Sequence, residues 1–107
     1  MTDPLTEHWR PAEETHDMQL RAIVVGAGWA GEGHALALRA AGVEVVAICG
    51  RSVGPTRELA SRLGMPEARL DWRDAISDLR PDIVTIATPA ASHMEMAIAA
   101  AASGCHV

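Results

Sequence analysis

The chain has 107 residues, a formal net charge of −5 and 49% hydrophobic residues, which is enough for one domain with its own core and too apolar for global disorder. All nine basic residues are arginine, so no lysine of this chain can form a Schiff base or relay a proton. The acidic balance argues against general nucleic-acid binding, which needs a basic face. With no Phe, no Tyr and three Trp, the core must be aliphatic.

Residues 1–19 hold Asp3, Glu7, Glu13, Glu14 and Asp17 against Arg10, with Pro4 and Pro11 among them. This composition reads as a flexible acidic tail, and it lacks the apolar segment of a secretory signal. A single domain is expected over 20–107. Its first element is a strand at 21–25, where Ile23, Val24 and Val25 form a β-branched run that breaks into Gly26, Gly28 and Gly31. A helix over about 29–41 follows, with Ala35, Leu36, Leu38 and Ala40 as apolar positions and Gly42 closing it.

That strand–glycine–helix order has one well-defined physical use. Gly26 permits the tight turn, Gly28 lets a pyrophosphate approach the backbone, and Gly31 lets helix and strand pack closely. The helix then presents free N–H groups, including those of Trp29 and Ala30, and the positive end of its dipole to an anion. The spacing G-x-G-x-x-G after a strand is that of a dinucleotide-binding fingerprint.

Val43–Cys49 reads as a second buried strand. Pro55 suits the first position of a helix over 55–63 that Gly64 ends. A short strand is expected near Ala68–Leu70, then a helix over 72–79 capped by Asp71 and stopped before Pro81. Ile83–Ala87 is the next buried strand. Ser92 and Glu95 have capping-box spacing for a helix over 93–103 closed by Gly104, and Cys105-His106-Val107 begins a further strand. Repeated β-α-β units imply a doubly wound parallel α/β sheet with helices on both faces, and the chain reads as cut off within it.

In this architecture the end of the second strand reads the adenosine ribose, and an acid there favours NAD. This chain has Gly50, Arg51 and Ser52 instead. An arginine and a hydroxyl beside a small residue can hold a 2′-phosphate through charge-assisted bonds, so NADP is expected over NAD. A methyltransferase fits less well, because position 30 is Ala where a G-x-G-x-G turn is wanted, and a flavoprotein lacks its acid after the second strand. Cys49 and Cys105 read as buried free thiols of a reducing cytoplasm. No stretch suits a membrane span, and none of the five histidines has metal-ligand spacing. His34 is expected to pack against the sheet, and His8, His16 and His106 to be tail and strand residues.

The segments GAGWAGEGHALALRAAG at 26–42, VVAICGRS at 45–52, PDIVTIATPAASHMEMAIAAAASG at 81–104 and the terminal His106-Val107 together resemble the Gfo/Idh/MocA family, the glucose–fructose oxidoreductase and inositol dehydrogenase group. The resemblance implies an NAD(P)-binding Rossmann domain of a two-domain oxidoreductase acting on sugars, polyols and related compounds. The turn matching Thr88-Pro89 would line the cofactor site, and His93 matches a recurrent histidine that can touch the nicotinamide ribose or a substrate. Ala90 stands where Asn is frequent, and Cys105 where Lys is.

The family's Glu-Lys-Pro signature, whose lysine assists proton transfer, would follow Val107. So would the α+β substrate domain with its antiparallel sheet and most of the oligomer interface. The resemblance therefore implies a chain that holds the dinucleotide cofactor but has no catalytic residue of its own. A small-molecule substrate and a homo-oligomer belong to a full-length form, with no nucleic-acid or membrane partner and no metal. A function of a different class, a non-catalytic nucleotide-binding sensor or assembly module, is suggested by the absence of lysine or an acid–base pair.

Overall fold

The computed structural model describes residues 19–64, 67–88 and 93–107. The acidic segment 1–18, Pro89, Ala90 and the Ser92 half of the expected capping pair lie outside the described residues. The elements in chain order are β1 (Arg21–Val25), α1 (Trp29–Ala40), β2 (Glu44–Cys49), α2 (Val53–Arg62), β3 (Glu67–Arg69), α3 (Trp72–Leu79), β4 (Ile83–Ile86) and α4 (His93–Ala102). The strands form one sheet in the order β3-β2-β1-β4, with every neighbouring pair parallel. His106 makes an isolated parallel bridge to Ile83 on the remaining edge of β4, at the segment where the sequence suggests a further strand.

Among the described residues no large ring is fully buried, and the sheet is sealed on both faces by small and branched side chains. On one face Ile23, Val25, Val46, Cys49 and Val84 meet Ala75 and Ile76 of α3 and Met96 and Ala100 of α4. On the other, Val24, Val45 and Ile48 meet Ala35 of α1 and Leu59 and Ala60 of α2. Alanine at the helix contacts lets the helices sit close to the strands, which offsets the absence of bulkier side chains.

Strand β2 departs from simple alternation. Ala22 pairs with Val45 but Ile23 pairs with Ala47, so Val46 is an extra residue between them. The bulge reverses the parity of the strand. It puts Val45 and Ile48, three residues apart, on the same face, and sends Val46 to the other with Ala47 and Cys49.

The helix ends follow local chemistry. Gly42 takes φ +84 just past α1, and its N–H donates to Arg39 O at 3.0 Å. Asp71 caps α3 as expected, its Oδ1 accepting from the N–H of Arg73 (3.0 Å) and of Asp74 (3.2 Å). Helix α2 begins two residues before the position Pro55 suggests. Ser52 is its N-cap, and Val53 and Gly54 are already helical, so Pro55 occupies the third position, where a missing N–H is equally harmless. His34 is exposed on α1 rather than packed on the sheet. Gly31 and Ala35, one helical repeat apart, take the buried stripe and turn His34 outward.

Two substitutions separate the core from the caps. Ile48→Ala, at a fully buried site, should lower unfolding stability by about 3 kcal/mol, whereas Asp71→Ala should cost about 1 kcal/mol. Urea unfolding followed by circular dichroism measures both.

Candidate functional site

The carboxyl ends of β1, β2 and β4 meet where the strand order reverses, since β2 and β3 extend to one side of β1 and β4 lies on the other. Open parallel sheets leave a crevice at such a reversal. Here it is a cleft of about 630 Å³, within the range of small-molecule and cofactor sites. Its walls include Gly26 and Gly28 from the glycine turn, Arg51 and Ser52 after β2, Leu70 and Trp72 around the start of α3, Thr88 after β4, and Glu95 and Met96 of α4.

The glycine turn is fixed from three sides. Gly26 has φ +128, its N–H donates to Cys49 O at 2.7 Å, and the Ala87 N–H donates to Val25 O at 2.7 Å. A Cβ on Gly26 would stand 2.7 Å from the Ala87 carbonyl oxygen. A Cβ on Gly31 would run into the Gly26 carbonyl, so only glycine lets α1 approach the end of β1 this closely. Gly28 is the opposite case, with nothing within 4 Å of a Cβ built there. It is the N-cap of α1 and offers no capping side chain. Its carbonyl accepts the first intrahelical bond, from Glu32 N–H at 3.1 Å. The N–H groups of Trp29, Ala30 and Gly31 precede that first bond and are the orphan donors of the helix start.

Arg51 and Ser52 are exposed at the end of β2, at the start of α2. The Ser52 hydroxyl makes no capping bond to the helix it begins. The Ser52 carbonyl is occupied instead, accepting from the buried Thr56 hydroxyl at 2.6 Å and the Thr56 N–H at 3.2 Å. No acidic residue occupies the first turn of α2. Arg51 has no salt-bridge partner among the described residues. Arg69, one strand over, is committed to Glu67, Asp74 and Asp78 at 2.9–3.0 Å, which raises its pKa further and fastens α3 to the end of β3.

Not every residue singled out in the sequence reaches the cleft wall. Trp29 is 91% exposed beside the turn, and Ala30 is exposed with it, so these two contribute backbone donors rather than lining side chains. Gly31 is buried beneath the turn. His93 Nε2 donates to the Thr88 carbonyl at 2.5 Å, which holds the ring against the loop after β4. Thr88 Oγ1 in turn donates to Met96 Sδ at 3.7 Å. Leu70, Trp72 and Glu95 also line the cleft, where the sequence does not place them. The available signal was positional: residues just after β3 and at the start of α4 fall at the same carboxyl edge once β3 is placed beside β2.

Both thiols behave as buried apolar groups. Burial pushes Cys49 up to about 12, against a smaller opposing pull from Arg69. Cys105 is also raised by burial, with Asp82 adding to it, and its thiol donates to Pro81 O at 3.1 Å. Among the described residues no group of three His, Cys, Asp or Glu is placed to hold a metal ion, and no helix is long and apolar enough to cross a membrane.

A family model described as an oxidoreductase family with an NAD-binding Rossmann fold matches residues 20–107. The chain belongs to this family, Gfo/Idh/MocA. It is 35% identical over 89 residues to a 4-carboxy-2-hydroxymuconate-6-semialdehyde dehydrogenase of Sphingobium sp., an alignment covering 82% of this chain and 28% of the relative. Among solved structures it is similar to a levoglucosan dehydrogenase in complex with NADH and levoglucosan. That likeness has TM-score 0.74 and 34% identity, and covers 83% of this chain and 26% of the other. It is similar as well to the biliverdin reductase of Synechocystis sp. PCC 6803 in complex with biliverdin and NADP+. There the TM-score is 0.74 and the identity 31%, with 82% of this chain and 28% of the other covered. The Gfo/Idh/MocA chain described here spans about a quarter of the length of the curated relatives it matches.

The buried thiols give a pH prediction. A thiol whose folded pKa lies above its unfolded value keeps its contribution to stability below the unfolded pKa and loses it as pH rises toward the folded one. Stability should therefore fall between the ordinary thiol value of 9.0 and about 12 through Cys49. Cys49→Ala should flatten that fall in urea titrations across this window. In the folded protein at pH 8, a thiol reagent should label Cys49 no faster than the protein unfolds.

Proposed function

We propose that this chain is the cofactor-holding part of an NAD(P)-dependent oxidoreductase acting on a sugar, polyol or related hydroxyl or carbonyl compound, with NADP(H) preferred over NAD(H). The observation that carries the reading is the open cradle at Gly28. Gly28, the N-cap of α1, lines the cleft where the sheet order reverses and leaves open space where a side chain would stand, and the orphan amides of Trp29, Ala30 and Gly31 follow it directly. A dinucleotide pyrophosphate matches that donor set in charge and geometry. Residues 20–107 are read as the nucleotide-binding domain, preceded by the acidic segment 1–19.

The roles follow from position. Gly26 and Gly31 hold the turn and the helix together, Gly28 admits the pyrophosphate, and the Trp29, Ala30 and Gly31 amides donate to it. Thr88 lines the other wall, with His93 braced on the Thr88 carbonyl and its second ring nitrogen left to meet the nicotinamide ribose or a substrate; Pro89 keeps the role its family match implies. Arg51, the Ser52 hydroxyl and the amide end of α2 surround the position of a ribose 2′-phosphate. The first turn of α2 carries no acid to repel that group. When bound, the nicotinamide supplies the hydride chemistry, and the protein supplies binding, orientation and electrostatics. Similar structures carry either dinucleotide, NADH in the levoglucosan dehydrogenase and NADP+ in the biliverdin reductase. Two unpaired buried thiols support a reducing, cytoplasmic setting.

Without a lysine, these residues should hold cofactor and not turn over a polyol. Detectable NADP+ reduction by the isolated chain with any polyol would contradict that. Calorimetric titration should show NADPH binding about tenfold tighter than NADH, and Arg51→Ala should remove most of that difference, the scale of a lost charge-assisted hydrogen bond. Equal binding of both dinucleotides, unchanged by Arg51→Ala, would overturn the 2′-phosphate assignment. Binding of neither would overturn the cofactor reading.

A further inference from the structure

Among the described residues, two charged side chains line the cleft, Arg51 and Glu95. Glu95 lies in the first turn of α4, where it is ion-paired with Arg73, the second residue of α3. The Arg73 guanidinium also lies over the Trp72 ring, 4.7 Å from its centroid. Trp72 itself lines the cleft and packs on the core beneath it. Arg73 is thus held from two sides, by an indole face anchored in the core and by a carboxylate on the neighbouring helix.

As a stabilising contact this pair is weak. Its side chains are 58% and 66% exposed, and exposed ion pairs contribute little to folding. Its placement matters more than its strength. A dinucleotide brings two negative charges on the pyrophosphate, and a 2′-phosphate brings more. A carboxylate lining the same cleft opposes that binding. An unpaired Glu95 would cancel much of what Arg51 and the helix amides contribute.

We propose that Arg73 is a positioning residue for cofactor binding: braced on Trp72, it engages Glu95 and neutralises the one acidic side chain among the described lining residues. The inference rests on the dinucleotide reading above. Arg73 acts through Glu95 and need not touch the cofactor. The cleft then presents a net positive field to the phosphates, and Glu95 remains available as a hydrogen-bond acceptor without acting as a free charge.

Calorimetric titration of NADPH into the wild-type chain and four variants tests this. Arg73→Ala should raise Kd about fivefold at low salt, the scale of one added unit charge near the ligand, and the increase should shrink toward nothing at about 0.5 M salt. Glu95→Gln should bind no more weakly than wild type. The double variant Arg73→Ala with Glu95→Gln should return to the wild-type Kd, and Arg73→Lys should stay near it because the charge is kept. A double variant as weak as Arg73→Ala, or a weaker Glu95→Gln, would overturn the proposal and indicate direct contact or a purely structural role. An Arg73→Ala chain that binds like wild type would overturn it equally. Wild-type chain that binds no dinucleotide would remove the dinucleotide reading first and this inference with it, a distinct result. Thermal unfolding of each variant separates loss of fold from loss of binding, and Glu95→Gln with Arg73→Lys keeps the test decisive if Arg73→Ala does not fold.

Discussion

The close approach of α1 to the end of β1 is the constraint on which the rest of the structure depends. The Gly26 carbonyl occupies the space a Cβ on Gly31 would need. The contact brings the first turn of the helix onto the sheet edge instead of above it. It also fixes where the helix starts, since the turn cannot rotate away without breaking the Gly26 N–H bond to Cys49 O. Two kinds of missing side chain cooperate here: at Gly31 the absence permits contact, and at Gly28 it leaves room.

The remainder of the site is built by placing other strand ends around that fixed point. Parallel strands bring every carboxyl end to one edge, so β2 delivers Arg51 and Ser52, β4 delivers Thr88, and the start of α3 delivers Trp72. Each of these ends is pinned by bonds that do not involve the cleft-facing atoms. Gly50 N–H donates to Arg69 O at 2.9 Å, Thr56 occupies the Ser52 carbonyl, and His93 holds the Thr88 carbonyl. Among the described residues, the Ser52 hydroxyl caps no helix and the Arg51 guanidinium has no salt-bridge partner, and the first amides of α1 precede its first intrahelical bond. A rigid frame with free polar groups is what a binding site needs, because little ordering remains to be done when a ligand arrives.

Much of this was legible in the sequence because the signals were local. The β-branched run into Gly26, Gly28 and Gly31 defined the first strand, turn and helix, and Asp71 marked the α3 cap. The parts that were not legible depended on contacts between distant elements. His34 could be oriented only once Gly31 and Ala35 were known to share the buried stripe. The parity of β2 turns on an extra Val46 that no alternation pattern reveals. Pro55 is compatible with more than one position in a first turn, so it could not fix where α2 begins. Trp72 and Glu95 enter the site only because α3 and α4 lie side by side on one face of the sheet. The Arg73 contact to both needs that tertiary arrangement.

The central claim is that the start of α1 is a phosphate cradle, and backbone amides report on it directly. Two-dimensional 15N NMR of the chain titrated with NADPH should shift the amide resonances of Trp29, Ala30 and Gly31 in one saturating process, together with Arg51 and Ser52. Saturable binding that leaves the Trp29–Gly31 amides unmoved and perturbs residues elsewhere would contradict the account.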